Sequence, residues 1–278
     1  MPVAHIHLGA PKTATSMIQG LLNEPDVRDI IRPEYLADTC KVLASHTPVT
    51  DADDYFTVQT LDMIRETLPA HDIVLSCENM FGMHTHRPNT CIESVKAMKR
   101  LFRGFDIRLL IFVRRQDSYI EAIYGQDVKR QEMRDFPAYV GEMLLDNLHW
   151  DQICEVYGEF DLTVRPWETS VLATGGYRDF VDALFQWLGA KVEVENLPIV
   201  NPSLSLAGLE LQMAANRLLP KHLAYDLSMW LERRCGKKPG ERLGLLEFAG
   251  LDVMPRYRES NARLFKRWMP QFDPKEYV

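Results

Sequence analysis

The chain of 278 residues is long enough for one large α/β domain or two small ones, and with 46% hydrophobic residues it can fill a core. Its formal net charge of −7 excludes the basic excess from which broad, sequence-independent nucleic-acid binding draws its affinity. Five scattered cysteines (Cys40, Cys77, Cys91, Cys154 and Cys235) form no C-x-x-C or Cys/His cluster, which supports neither a disulfide framework nor a zinc site.

His84 and His86 stand two apart with no further ligand nearby, so no metal is expected. No basic segment followed by a long apolar one opens the chain, and no run has the length to span a bilayer. The expectation is a cytoplasmic, soluble protein with reduced thiols, no nucleic-acid partner and an oligomeric state left open.

The apolar run Val3 to Leu8 predicts a strand, Gly9-Ala10-Pro11 a tight turn, and Met17, Ile18, Leu21 and Leu22 one face of a helix. Such a helix start offers unpaired N–H groups and the positive end of the dipole to an anion. Lys12 adds a charge there, and Thr13, Thr15 and Ser16 add hydroxyl donors. The spacing is not that of a Walker A loop, because Gly9 lies three residues before Lys12 and Pro11 replaces the second glycine. Capping of the helix by Thr15 or Ser16 is the purely structural alternative.

Residues 24–70 are mixed, broken by Pro25, Pro33 and Pro48, and read as loops and short helices over a site. Asp72 to Glu78 reads as a buried strand ending in a carboxylate, Asn79 to Asn89 as loop, and Cys91 to Phe102 as helix. Asp106 to Val113 is the clearest central strand, an apolar run of the kind parallel sheets bury on both faces. A helix is expected from Ser118 to about Arg130, with Ser118 and Glu121 as a capping box, and helix continues over 137–157.

Asp161 to Pro166 is a short strand, and after Gly175-Gly176 a strongly periodic helix runs from Tyr177 to Leu188. From Asn201 the chain is helical, broken near Cys235 to Gly240 and ending in a helix around Arg258 to Trp268. The prediction is one α/β domain over 1–278, a mainly parallel, P-loop-like sheet flanked by helices, with 201–278 as a helical cap. Ligands sit beyond the carboxyl ends of such strands, which brings together the Lys12 loop, Glu78 and Arg114-Arg115.

Gly9-Ala-Pro-Lys-Thr-Ala-Thr-Ser16 resembles the 5′-phosphosulfate loop of the PAPS-dependent sulfotransferases, in particular their bacterial carbohydrate-type branch. The resemblance implies that Pro11, Lys12, Thr13, Ala14, Thr15 and Ser16 receive the 5′ end of 3′-phosphoadenosine 5′-phosphosulfate (PAPS). Phe112 to Tyr124 resembles the 3′-phosphate segment, in which Arg114 occupies the arginine position. The serine found eight residues later in the family is Ala122 here, a departure from the pattern; Ser118, one helical turn earlier, either substitutes for it or caps the helix with Glu121. Val164-Arg-Pro-Trp-Glu168, Asn201-Pro-Ser-Leu-Ser205 and Glu259-Ser-Asn-Ala-Arg-Leu264 resemble later family segments in the same order. For Ser203 and Ser205, helix capping competes with ligand contact. Arg233, Arg234, Lys237, Lys238 and Arg242 either close over the nucleotide or form a solvated surface.

The activity implied is in-line transfer of a sulfuryl group to an acceptor hydroxyl, on a carbohydrate, glycolipid or small alcohol, with no metal. Lys12 would stabilise the leaving oxygen and Glu78 would act as base, with His46, His84 and His86 in reserve. Alternatively, Glu78 pairs with Lys12 or Arg114. Two other functions fit the same loop. A nucleotide-dependent kinase would want an aspartate at a strand end, where Asp72 and Asp106 instead begin their strands. A non-catalytic nucleotide or glycan binder is the reading that Ala122 favours.

Overall fold

Five short segments in the first two-thirds of the chain pair in one all-parallel sheet, ordered β2-β3-β1-β4-β5. The strands are β1 (Val3–Leu8), β2 (Glu34–Tyr35), β3 (Ile73–Ser76), β4 (Asp106–Val113) and β5 (Asp161–Pro166). The computed structural model describes residues 1–10, 12–45, 51–81, 89–168, 178–192, 203–237 and 242–278. The expected α/β class is thus present, with helices flanking an all-parallel five-stranded sheet.

Burial explains the strand assignments. All four residues of β3 and the last five of β4 are buried, as expected of strands covered on both faces. The two-residue edge strand β2 was not expected; it pairs Glu34 with Ile73 and Tyr35 with Val74. Helices α1 (Thr15–Asn23), α2 (Pro25–Ile30), α3 (Ala37–Ser45), α4 (Tyr55–Thr67) and α5 (Asn89–Leu101) fill the connections before β4. The helix Arg178–Trp187 covers one face, where Phe180 packs 4.2 Å from Phe112 and Trp187 meets His5 edge-on at 5.0 Å.

Helix α6 (Gln116–Lys129) starts two residues before the expected Ser118. The single helix expected over 137–157 is instead α7 (Phe136–Glu142), a 3₁₀ turn (Leu145–Leu148) and α8 (Trp150–Tyr157). Asp135 caps α7 by accepting the Ala138 N–H at 2.9 Å, and the backbone turns extended at Met143 and again at His149. The break lets Trp150 bury its ring and donate to the Arg114 carbonyl at 2.7 Å.

In the C-terminal region, helices Leu206–Leu218 and Lys221–Arg234 pack on each other, and the first also packs on α6. Asn216 ties that pair to the end of α6 by donating to the carbonyls of Val128 (2.7 Å) and Glu132 (3.0 Å). The last helix, Arg258–Trp268, returns to α8. Among the described residues no helix is long and apolar enough to cross a membrane.

The strand order positions the site. The chain leaves β1 toward β2 and leaves β4 toward β5, so the outgoing loops of these neighbouring strands diverge and open a crevice at their carboxyl ends.

Candidate anion-binding site at the carboxyl edge

The loop after β1 is built around two residues in the left-handed region, Lys12 (φ 68°) and Ala14 (φ 55°), with Thr13 between them. Alternation of this kind turns successive N–H groups inward and forms an anion-binding concavity. Holding a non-glycine residue there costs about 1–2 kcal/mol, so the conformation needs a reason. Gly9 is required by packing: a Cβ there would lie 2.1 Å from Thr15 Oγ1. Thr13 braces the turn, its hydroxyl donating to the Ala10 carbonyl at 2.6 Å and its N–H to the same oxygen at 3.2 Å. Its side chain is fully buried, so Thr13 offers a ligand no free hydroxyl donor.

Capping by Thr15 or Ser16, the structural alternative, does not occur. Ala14 is the N-cap of α1, and no side chain caps the helix. Thr15 Oγ1 is buried without a partner among the described residues, and Ser16 is exposed. The N–H groups of Ala14, Thr15 and Ser16 likewise find no acceptor among the described residues. Buried hydroxyls and helix-start donors normally find partners, so this group is poised for an external acceptor. Pro11 lies outside the described residues.

Lys12 is half-buried and forms no ion pair among the described residues. Burial pulls its ammonium down to about 8, Lys129, Arg130 and Arg114 push the same way, and Glu78 alone opposes them. Glu78 opens the 3₁₀ turn Glu78–Phe81 after Cys77, whose N–H donates to the His7 carbonyl at 2.9 Å. Burial raises the Glu78 carboxyl, offset by Lys12 and Arg130. The two groups thus act on each other across the crevice without closing an ion pair, which sets aside the pairing of Glu78 with Lys12 or Arg114.

Arg114 joins the loop from β4. Its Nη1 donates to the Lys12 carbonyl and its Nε to Ser118 Oγ, both at 3.0 Å. Ser118 therefore does not form a capping box with Glu121. It sits in the first turn of α6 and donates to Glu168 Oε1 at 2.8 Å, while Glu121 accepts the Leu246 N–H at 3.1 Å. Ala122, one turn further on the same face of α6, is half-buried and brings no polar group; Ser118 holds the guanidinium instead.

Arg115 is turned away, paired with Asp117. Its N–H donates to Glu168 Oε1 at 2.9 Å, and Tyr277 donates to Glu168 Oε2, so Glu168 joins β4, β5, α6 and the C-terminal segment. Ser205 caps its helix by accepting the Gly208 N–H at 3.3 Å, as the structural alternative expects. Arg242 lies 3.6 Å from Asp117, and Arg233 and Arg234 are exposed. His46, His84, His86, Asn201 and Lys238 lie outside the described residues. Lys129 and Arg130, which act on Lys12 from the far end of α6, were not anticipated. Basic residues closing a helix ordinarily answer its dipole, and that ordinary reading hides them.

No family model matches the chain, and no curated protein matches it. A lysine, unpaired N–H groups and a buried free hydroxyl can hold a tetrahedral anion. A nearby carboxylate whose proton affinity burial raises can accept a proton from a bound hydroxyl.

Proposed function

We propose that the protein transfers a sulfuryl group from PAPS to an acceptor hydroxyl, on a carbohydrate, glycolipid or small alcohol. The observation that carries this reading is a left-handed loop in which, among the described residues, Lys12 has no ion pair and the buried Thr15 hydroxyl no partner, with Glu78 acting on Lys12. Thr15, Lys12 and the N–H groups of residues 14–16 would hold the 5′-phosphosulfate. Arg114, steadied by Ser118, would meet the 3′-phosphate in place of the absent serine at Ala122. The donor supplies an activated sulfuryl group: the acceptor oxygen–sulfur bond forms as the bond from sulfur to the phosphate oxygen breaks. Lys12 would offset charge on that oxygen, and Glu78 would take the acceptor proton.

The pH dependence follows from the two shifts. Activity rises as the Glu78 carboxyl, held above its usual range, loses its proton. It falls as pH climbs through about 8 and Lys12 loses its charge. The expected profile is a bell whose alkaline limb disappears in Lys12→Arg.

Calorimetric titration with adenosine 3′,5′-bisphosphate, beside ADP and ATP with Mg²⁺, tests the donor. Micromolar bisphosphate binding without metal, weakened at least tenfold by Lys12→Ala, is expected. Binding of ATP–Mg²⁺ alone would transfer the case to the kinase reading. That reading has little support, since Asp72 accepts the Val3 N–H at 2.8 Å at the amino end of the sheet. Bisphosphate binding with no transfer to any hydroxyl would favour a binding module.

A further inference from the structure

Cys40 on α3 and Cys77 at the end of β3 are 37 residues apart in sequence, yet their sulfurs stand 3.7 Å from each other. Both are buried free thiols. Cys40 Sγ also accepts the Ser76 N–H at 3.4 Å and the Tyr35 hydroxyl, so its charged form is held by several donors. These donors draw the Cys40 thiol down, while burial and the adjacent Cys40 push Cys77 up. One sulfur is thereby suited to react first and the other to resolve.

We propose that Cys40 and Cys77 are an oxidation site, a dithiol that closes to a disulfide under a small hydroperoxide such as hydrogen peroxide. The peroxide takes two electrons from Cys40 sulfur, giving a sulfenic acid and one water. Cys77 sulfur then attacks the sulfenic sulfur. The S–S bond forms, the S–O bond breaks, and the hydroxyl leaves with the Cys77 proton as a second water. Closing 3.7 Å to a bond of about 2.05 Å brings the two sulfurs nearer by roughly 1.6 Å. The residue next to Cys77 is Glu78, which opens the following turn, so the cross-link would tie that turn to α3. The thiol chemistry stands apart from the proposed function; its effect on transfer rests on that reading.

The test treats the full-length protein with hydrogen peroxide and counts thiols after denaturation, with mass spectrometry of the digest. The five thiols of the chain should fall to three, with a Cys40–Cys77 cross-linked peptide that dithiothreitol releases. Cys40→Ser and Cys77→Ala should each keep all four remaining thiols out of any disulfide. A Cys91–Cys154 link, oxidation of the more open Cys235 alone, or sulfinic acid at Cys40 without a cross-link would overturn the proposal. Bisphosphate affinity should change less than threefold on oxidation while transfer falls at least tenfold. A cross-link with transfer unchanged would reject the effect on Glu78. Absence of bisphosphate binding in the reduced protein would reject the proposed function and leave the thiol result standing.

Discussion

Two neighbourhoods at the carboxyl edge of one sheet handle polar groups in opposite ways. At the ends of β4 and β5, Glu168 accepts from Arg115, Ser118 and Tyr277, while Gln116 donates to Asn261 at 2.8 Å and Asn261 to the Tyr277 carbonyl at 2.7 Å. Each of the donors just named has an acceptor within the protein. At the end of β1, Thr15 Oγ1 has none among the described residues, Lys12 has no counter-ion there, and two non-glycine residues take positive φ. Stability alone would favour the first arrangement everywhere, because an unmet buried polar group costs about 1–3 kcal/mol. The contrast separates an architectural joint from a loop whose open donors are the ones the proposed ligand would meet. Arg114 links the two, with its guanidinium on the Lys12 carbonyl and on Ser118.

The sharpest break of this comparison is Lys12→Ala. Loss of a cation aimed at developing charge should lower the transfer rate by about 10³-fold or more. Thermal unfolding should occur at or above the wild-type temperature, since the substitution removes a charge that burial disfavours. A clear loss of stability would make Lys12 part of the architecture. Glu168→Ala should do the reverse. It removes the acceptor of the Arg115 N–H and leaves the Ser118 and Tyr277 hydroxyls only the Arg115 and Val113 carbonyls, at a cost of about 3 kcal/mol in urea unfolding. Glu168→Gln, which keeps two of the acceptor positions, should cost less than half of that.

Thr15→Val sharpens the comparison on a smaller scale. The valine fills the same volume without the unpartnered hydroxyl, so stability without ligand should stay level or rise by up to about 1 kcal/mol. Bisphosphate affinity should fall about threefold to tenfold, the worth of one hydrogen bond, read by titration calorimetry. A stability loss with unchanged affinity would show the hydroxyl to be internally used.

The same contrast marks what could be read from sequence. Strands β1, β3 and β4 were legible because each is a largely apolar run, and β5 because Leu162 and Val164 alternate with polar residues. The edge strand Glu34–Tyr35 was not, because two residues carry no period. Residue types in the β1 loop were readable as anion chemistry. The left-handed backbone of Lys12 and Ala14 was not, since neither is the glycine that ordinarily signals it. Ser118 misled because Glu121 makes a good local pattern, whereas its real partner, Glu168, lies 50 residues away. Lys129, Arg130 and the Cys40–Cys77 contact are also products of tertiary placement, which spacing along the chain does not encode.

The smallest test concerns the backbone of the loop itself. Ala14 is held at φ 55° and ψ 33° as the N-cap of α1, a conformation that glycine adopts without a Cβ penalty. Ala14→Gly should relieve about 1 kcal/mol of strain in the folded state and give most of it back through the freer unfolded chain. The net change expected is a few tenths of a kcal/mol toward stability, with bisphosphate affinity within twofold of wild type. Ala14→Val brings a branched side chain to the same φ and should lose both stability and affinity. If the two variants bind equally well, the left-handed turn at Ala14 is incidental to the anion site, and Lys12 and Thr15 alone carry it.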